Sequence, residues 1–450
     1  MRIETPSWGI EPVPERLHVL SLFDSLLLWG NLSVSLLVVV AGALLVPALS
    51  LPAALTAIVV GALAGNLLLG LAALIGADAR VPGMVVLRAP LGRRGSYLPT
   101  ALNVAQNLGW STFELIIIAS AAAALSKRLF GFEQKWLWAL VFGALSLALG
   151  LMGPIGFVRR YLRKIATWAL LLAMGYLTWW VLAGSNLHAF WSAPGSGGLG
   201  LGQGIDLVIG SIVSWTPLAA DYTRFSRTRR GAFWGAGLGY FLPTFWVFGL
   251  GALLVLARNL SDVAAIPTAM ATGGAVALLA LAAITLDESE KAFADIYSSA
   301  VSVQNLLPRV SQKLLITIVS AVATAGAIVI DLSNYQSFLY LLGSFFVPLL
   351  GVLLADWLLA GGHYGERDIF GARSLRIDRL AAWVAGFALY QWLAPVGPSW
   401  WTRLVDHTHP AAVSFTASLP SLAASFGLVV LAEGVGRSLG RAAPSPSSSE

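Results

Sequence analysis

Apolar residues gather along this chain in long stretches, separated by short segments rich in Arg, Gly and Pro. A helix that crosses the hydrocarbon core of a bilayer needs roughly 20 mostly apolar residues. Twelve segments carry that pattern: 21–46, 52–75, 98–125, 136–152, 166–182, 205–220, 232–257, 275–303, 314–330, 333–359, 380–392 and 412–431. They predict an all-α polytopic membrane protein with about twelve transmembrane helices, forming one domain over residues 17–435. A polar N-terminal tail, 1–16, and a disordered Pro-Ser-rich C-terminal tail, 436–450, flank it.

Composition agrees. Of 450 residues 57% are hydrophobic and only 11% charged, whereas a soluble domain carries about 25% charged residues to cover its surface. The N-terminal stretch holds Glu4, Glu11, Glu15 and three prolines, which is unlike a cleavable signal. With no cysteine, disulfides and thiolate metal sites are excluded, and the five histidines show no ligand spacing.

The net charge of +6 gives no case for a nucleic-acid partner, because the basic residues sit in loops between spans. With a cytoplasmic N-terminus, 22 of the 28 Lys and Arg fall in inside segments, among them Arg80, Arg88, Arg93 and Arg94. Arg159, Arg160, Arg163 and Lys164 after the fourth span belong to the same set. Five fall outside, and Lys291 lies within a span. This bias predicts a multi-pass protein of the cell membrane with both termini cytoplasmic, its basic loops facing anionic lipid.

The first ten spans divide into two sets of five with opposite topology, as an inverted repeat requires, and two helices are left over. The leading span of each set is interrupted. The first contains Trp29-Gly30-Asn31; the sixth contains Ser211 and then Ser214-Trp215-Thr216-Pro217. Irregular backbone at membrane depth survives only where protein or a wet cavity covers it. Two breaks at matching positions therefore point to a midplane binding site, although a single kink is often only a kink.

In the third span Gln106, Trp110 and Glu114 share one helical face. An amide, an indole and a carboxyl in one stripe suit a flat heteroaromatic ligand; the same groups also serve as hydrogen bonds between membrane helices. Ser211, Ser214 and Trp215 offer hydroxyls and a second aromatic face, while serines also bond back to their own helix. The eighth span carries Asp287, Glu290, Lys291 and Asp295. Ionisable residues in a span are usually functional, here as a coupling group or as an ion-pair clasp in which Lys291 can pair with either aspartate. The loop Arg88–Ser96 lacks the Gly-Lys-Ser/Thr ending of a phosphate loop, and zinc motifs and nucleophile elbows are missing. Neither an enzyme nor a cofactor is expected.

The stretch Gly210-Ser211-Ile212-Val213-Ser214-Trp215-Thr216-Pro217-Leu218-Ala219-Ala220-Asp221-Tyr222-Thr223-Arg224-Phe225 resembles the sixth-helix signature of the nucleobase:cation symporter-1 family. That family includes purine and cytosine permeases, hydantoin carriers and hydroxymethylpyrimidine carriers. The Gln106–Trp110 stretch, the Arg88–Ser96 loop and Ala294–Ala300 fit it too, and the resemblance runs from about Leu17 to Leu431. It implies a leucine-transporter-like 5+5 inverted repeat plus two extra helices, working by alternating access. It also implies that Gln106 and Trp110 hold and stack the base, that Ser211 and Ser214 bond it, and that backbone near Gly30 and Asn31 lines the site. The family's sodium site joins the broken first helix to small hydroxyl residues of the eighth. The matching positions here read Glu290, Lys291 and Ala292, so Lys291 is expected to replace sodium, and coupling to H+ or Na+ stays open.

The sequence thus predicts a secondary active transporter for a nucleobase or related pyrimidine. An amino-acid or other small-solute transporter of the same fold, an exchanger without cation coupling, an ion channel and a membrane enzyme are the rivals.

Overall fold

Every one of the twelve expected spans coincides with a helix in the computed structural model, which describes residues 9–152, 167–183, 185–307, 309–406, 408 and 415–442. Residues 1–8 and 443–450 of the expected tails, the basic residues Arg159, Arg160, Arg163 and Lys164, and the start of the twelfth span lie outside the described residues. The spans are α1a (Leu22–Ser33) with α1b (Leu36–Ala43), α2 (Leu51–Ala79), α3 (Tyr97–Phe130), α4 (Lys135–Met152) and α5 (Thr167–Leu182). The second set is α6a (Leu201–Val213) with α6b (Thr216–Thr223), α7 (Arg229–Arg258), α8 (Ala275–Leu306), α9 (Gln312–Val329) and α10 (Tyr335–Leu359). Two more follow, α11 (Ile377–Leu393) and α12 (Ser418–Ala442). Six of the described helices are individually long and apolar enough to cross a membrane, and the α1a–α1b pair, bent by 58°, makes a seventh. The 32-residue α8 is long enough but carries the ionisable cluster.

Local chemistry sets the helix starts. Ser21 and Asp24 form a reciprocal capping box at α1a, and Ser50 caps α2 with Pro52 in its first turn. Along α2, Ile58, Ala62 and Leu69 are buried, whereas Val59, Leu63 and Leu67, four residues apart, lie on the outer face. An apolar outer stripe of that kind fits lipid rather than water.

Packing reveals the repeat. Helix α1 packs on α7 as α6 packs on α2, and α4 packs on α8 as α9 packs on α3. The pairs α2–α7, α3–α8 and α4–α9 complete the pattern. Exchanging each helix with the one five places on maps this set onto itself, which is the internal symmetry expected of two repeats. Helices α11 and α12 pack on α10 outside it. The α1b–α7 contact is backbone to backbone: a Cβ on Gly42 would lie 2.0 Å from the Phe248 carbonyl oxygen, and one on Gly251 2.0 Å from that of Val39.

The segment before α1a is tied to the far end of α6b. Leu20 N–H donates to the Phe225 carbonyl (3.0 Å), and Arg227 N–H donates back to Leu20 (2.9 Å). Val13 N–H reaches the Arg80 carbonyl at 2.9 Å, and Arg80 Nη1 donates to the Ser226 carbonyl at 2.5 Å.

Candidate functional site

The first span breaks at Val34–Ser35 and not, as the sequence implied, at Trp29-Gly30-Asn31, which all lie within α1a. Gly30 serves packing: a Cβ there would sit 3.4 Å from the Gly239 carbonyl oxygen of α7. At the break itself Val34 (φ −89°, ψ 95°) and Ser35 (φ −141°, ψ 148°) are extended. Ser35 Oγ accepts from Leu37 N–H (3.0 Å), capping α1b. Leu36 N–H is freed from helical bonding and donates to Glu288 Oε1, while the Ser35 hydroxyl donates to Glu288 Oε2 at 3.1 Å.

The sixth span breaks at Ser214–Trp215, as expected, but its backbone stays right-handed helical at both residues. The Ser214 hydroxyl bonds back to the Ser211 carbonyl (2.6 Å), the local reading of these serines. The Ser214 carbonyl, freed by the break, accepts from Gln106 Nε2 at 2.9 Å.

The α3 stripe therefore reaches from one break toward the other. Gln106 is held at the second break, with Asn103 Oδ1 also accepting from its Nε2 (2.7 Å). Eight residues on, about 12 Å along the helix, buried Glu114 lies close to Glu288, which grips the first break. Between them half-buried Trp110 packs edge-on against Tyr335 and Phe338 of α10. Helices α3 and α8 run antiparallel along this seam, since Asn103 Nδ2 donates to Ser302 Oγ at 2.7 Å while Glu114 meets Glu288.

In α8 Lys291 pairs with Asp287 and not with Asp295, and its Nζ stands 3.8 Å from Glu288 Oε2. Asp287, Glu288, Lys291 and Asp295 are all buried. The Glu290 side chain lies outside the described residues. Within the described cluster Asp287, Glu288 and Glu114 surround one ammonium, with Asp295 a turn further on. Beside the first break both oxygens of Glu288 are taken by protein donors, and the Lys291 ammonium stands next to them.

Aromatic rings join α1a to the second break. The fully buried Trp29 of α1a meets Trp215 (6.1 Å between centroids) and Tyr222 (5.9 Å) edge-on, with Tyr240 of α7 at 6.4 Å. Among the described residues, Asn31 Oδ1, Gln106 Oε1, both amide atoms of Asn107, Glu114 Oε2 and Trp29 Nε1 are buried without a protein partner. Each such atom costs about 1–3 kcal/mol if left dry, so each suits a polar ligand or ordered water. A cavity of about 30 Å³ lies beside the second break, lined by Gly76, Gly83, Met84, Thr216, Pro217 and Phe346.

Glu288, Asn103 and Trp29 are the participants that sequence reasoning missed. The i, i+3 spacing of Glu288 to Lys291 was a readable signal. Asn103 precedes Gln106 by the same interval, whereas nothing local marks Trp29 as a link between helices.

Comparison with known proteins identifies the family and the fold. The cytosine permease of Escherichia coli (strain K12) is 27% identical over 342 residues, covering 75% of this chain and 78% of that protein. The hydantoin permease of Microbacterium maritypicum is 28% identical over 297 residues, covering 61% of this chain and 60% of its own length. Among solved structures, Mhp1, a nucleobase-cation-symport-1 family transporter in a closed conformation with bromovinylhydantoin bound, superposes with a TM-score of 0.79 at 19% identity over 96% of each chain. That likeness establishes the leucine-transporter-like fold. The profile of permeases for cytosine/purines, uracil, thiamine and allantoin matches residues 12–400. The chain is a membrane permease of that family, the nucleobase:cation symporters, and not an enzyme.

Proposed function

We infer that the protein is a secondary permease that moves a nucleobase or related pyrimidine across the cell membrane by alternating access, with both termini cytoplasmic. The junction of Gln106 with Ser214 carries this reading. A neutral amide spends its Nε2 on a freed main-chain carbonyl and on Asn103 Oδ1 while its Oε1 stays open, with Trp110 one turn on and Trp215 next to Ser214 in the chain. A ring that presents an N–H matches this open acceptor, and its faces match indoles. The names of the two relatives, cytosine permease and hydantoin permease, point to the same class of ring. An amino-acid substrate would want a free half-helix N-terminus for its carboxylate, and at α1b that place is taken by the protein's own Glu288.

Coupling to protons fits better than coupling to sodium, because Lys291 puts a built-in cation where a sodium ion would meet like charge. Uptake of labelled cytosine into proteoliposomes, with pH and sodium gradients imposed separately and a panel of purines, pyrimidines, hydantoins and amino acids as competitors, tests both statements. Competition by heteroaromatic rings alone and accumulation driven by the pH gradient are expected. Displacement by amino acids removes the substrate class, and strict sodium dependence removes the proton reading.

A further inference from the structure

We propose that Glu288 is a positioning residue, an anion built into α8 that holds the first-helix break and thereby sets where α1a presents Trp29 and Asn31 to the ring. This assignment rests on the permease reading, in which those residues border the site. The two residues at the break, Val34 and Ser35, are neither glycine nor proline, so local sequence does not impose an extended backbone there. In an unbroken α1 the Leu36 N–H would bond to the Leu32 carbonyl; the break takes that bond away. A buried N–H needs another acceptor, and Glu288 supplies it from across the helix interface.

A buried carboxylate is itself costly unless its oxygens are satisfied. Here Oε1 takes the Leu36 N–H, and Oε2 takes the Ser35 hydroxyl with Lys291 Nζ 3.8 Å away. Glu114 of α3 lies close to the same carboxyl. The grip thus does from the donor side what a bound cation does to carbonyls from the other. Glu288 reaches the ring site through α1, and its oxygens are spent on the backbone rather than on substrate.

A double-mutant cycle isolates this grip. Leu36 is the first residue of α1b, where proline is well tolerated, and extended Ser35 is compatible with a following proline. Leu36→Pro deletes the N–H and leaves Glu288 nothing but Ser35 to hold. The chain has no cysteine, so a Ser33→Cys reporter beside the break can be read by maleimide labelling without background. Glu288→Ala is expected to change the labelling rate, and the dissociation constant for cytosine, by about tenfold or more in the parent. In the Leu36→Pro background it should change either by less than about threefold. Glu288→Gln, which keeps an acceptor for the N–H, should stay within about threefold of the parent; if the alanine variant fails to insert, it replaces it in the cycle with Leu36→Pro, where any effect it has should vanish.

An equal effect of the Glu288 substitution in both backgrounds overturns the assignment. So does a parent-like Glu288→Ala, or a Glu288→Gln as defective as alanine. The labelling arm is run without base: if cytosine and its analogues fail to bind the parent, the permease reading falls while the labelling cycle still judges Glu288.

Discussion

The two interrupted spans occupy equivalent places in the repeat yet solve the same problem in opposite ways. In α1 the chain leaves helical geometry altogether, turns by 58° and hands an N–H and a hydroxyl to a buried carboxylate. In α6 the backbone stays right-handed, Trp215 N–H drops back to the Ile212 carbonyl at 3.1 Å, and the freed Ser214 carbonyl goes to a neutral amide. A charged partner serves the first break and an uncharged one the second. The first break thus has an ionic setting and the second a neutral one.

Three substitutions test that division. Lys291→Met should have the largest effect, because it strips the only ammonium from a described cluster of four carboxyls; breaking a buried pair costs about 3–5 kcal/mol. Thermal unfolding in detergent should show it, and a parent-like melting point would mean that the buried Lys291–Asp287 pair contributes little beside the first break. Gln106→Ala removes a hydrogen bond to a buried carbonyl, worth about 1–3 kcal/mol. Cytosine affinity should fall by roughly 5–150-fold, with Ser33→Cys labelling unchanged; a change in labelling would mean that the breaks are not separable. Pro217→Ala should matter least. Pro217 lies in the first turn of α6b, where proline fits without distortion, so transport should stay within about threefold of the parent. A larger loss would show that the second break depends on its proline as much as the first depends on Glu288.

Much of this architecture was legible because a bilayer demands long apolar runs, and twelve of them stand out in the chain. The second break was legible too, since Pro217 marks it locally. The first was misplaced because Gly30 resembles a hinge but serves close approach to Gly239, while the real break lies at two residues with no breaking tendency of their own. Its cause is a tertiary contact, a carboxylate more than 250 positions away in the chain, and helix periodicity carries no trace of that. In the same way, the α8 spacing let Lys291 choose between Asp287 and Asp295, and only the packed helix decided for Asp287.

The stitching of Leu20 to Phe225 and Arg227 has a mechanical corollary. The start of α1a and the end of α6b are basted along a common hem, with Arg80 as an extra thread through Ser226. No movement can part those two ends without first unpicking main-chain bonds, so they swing as a single leaf while the seam holds.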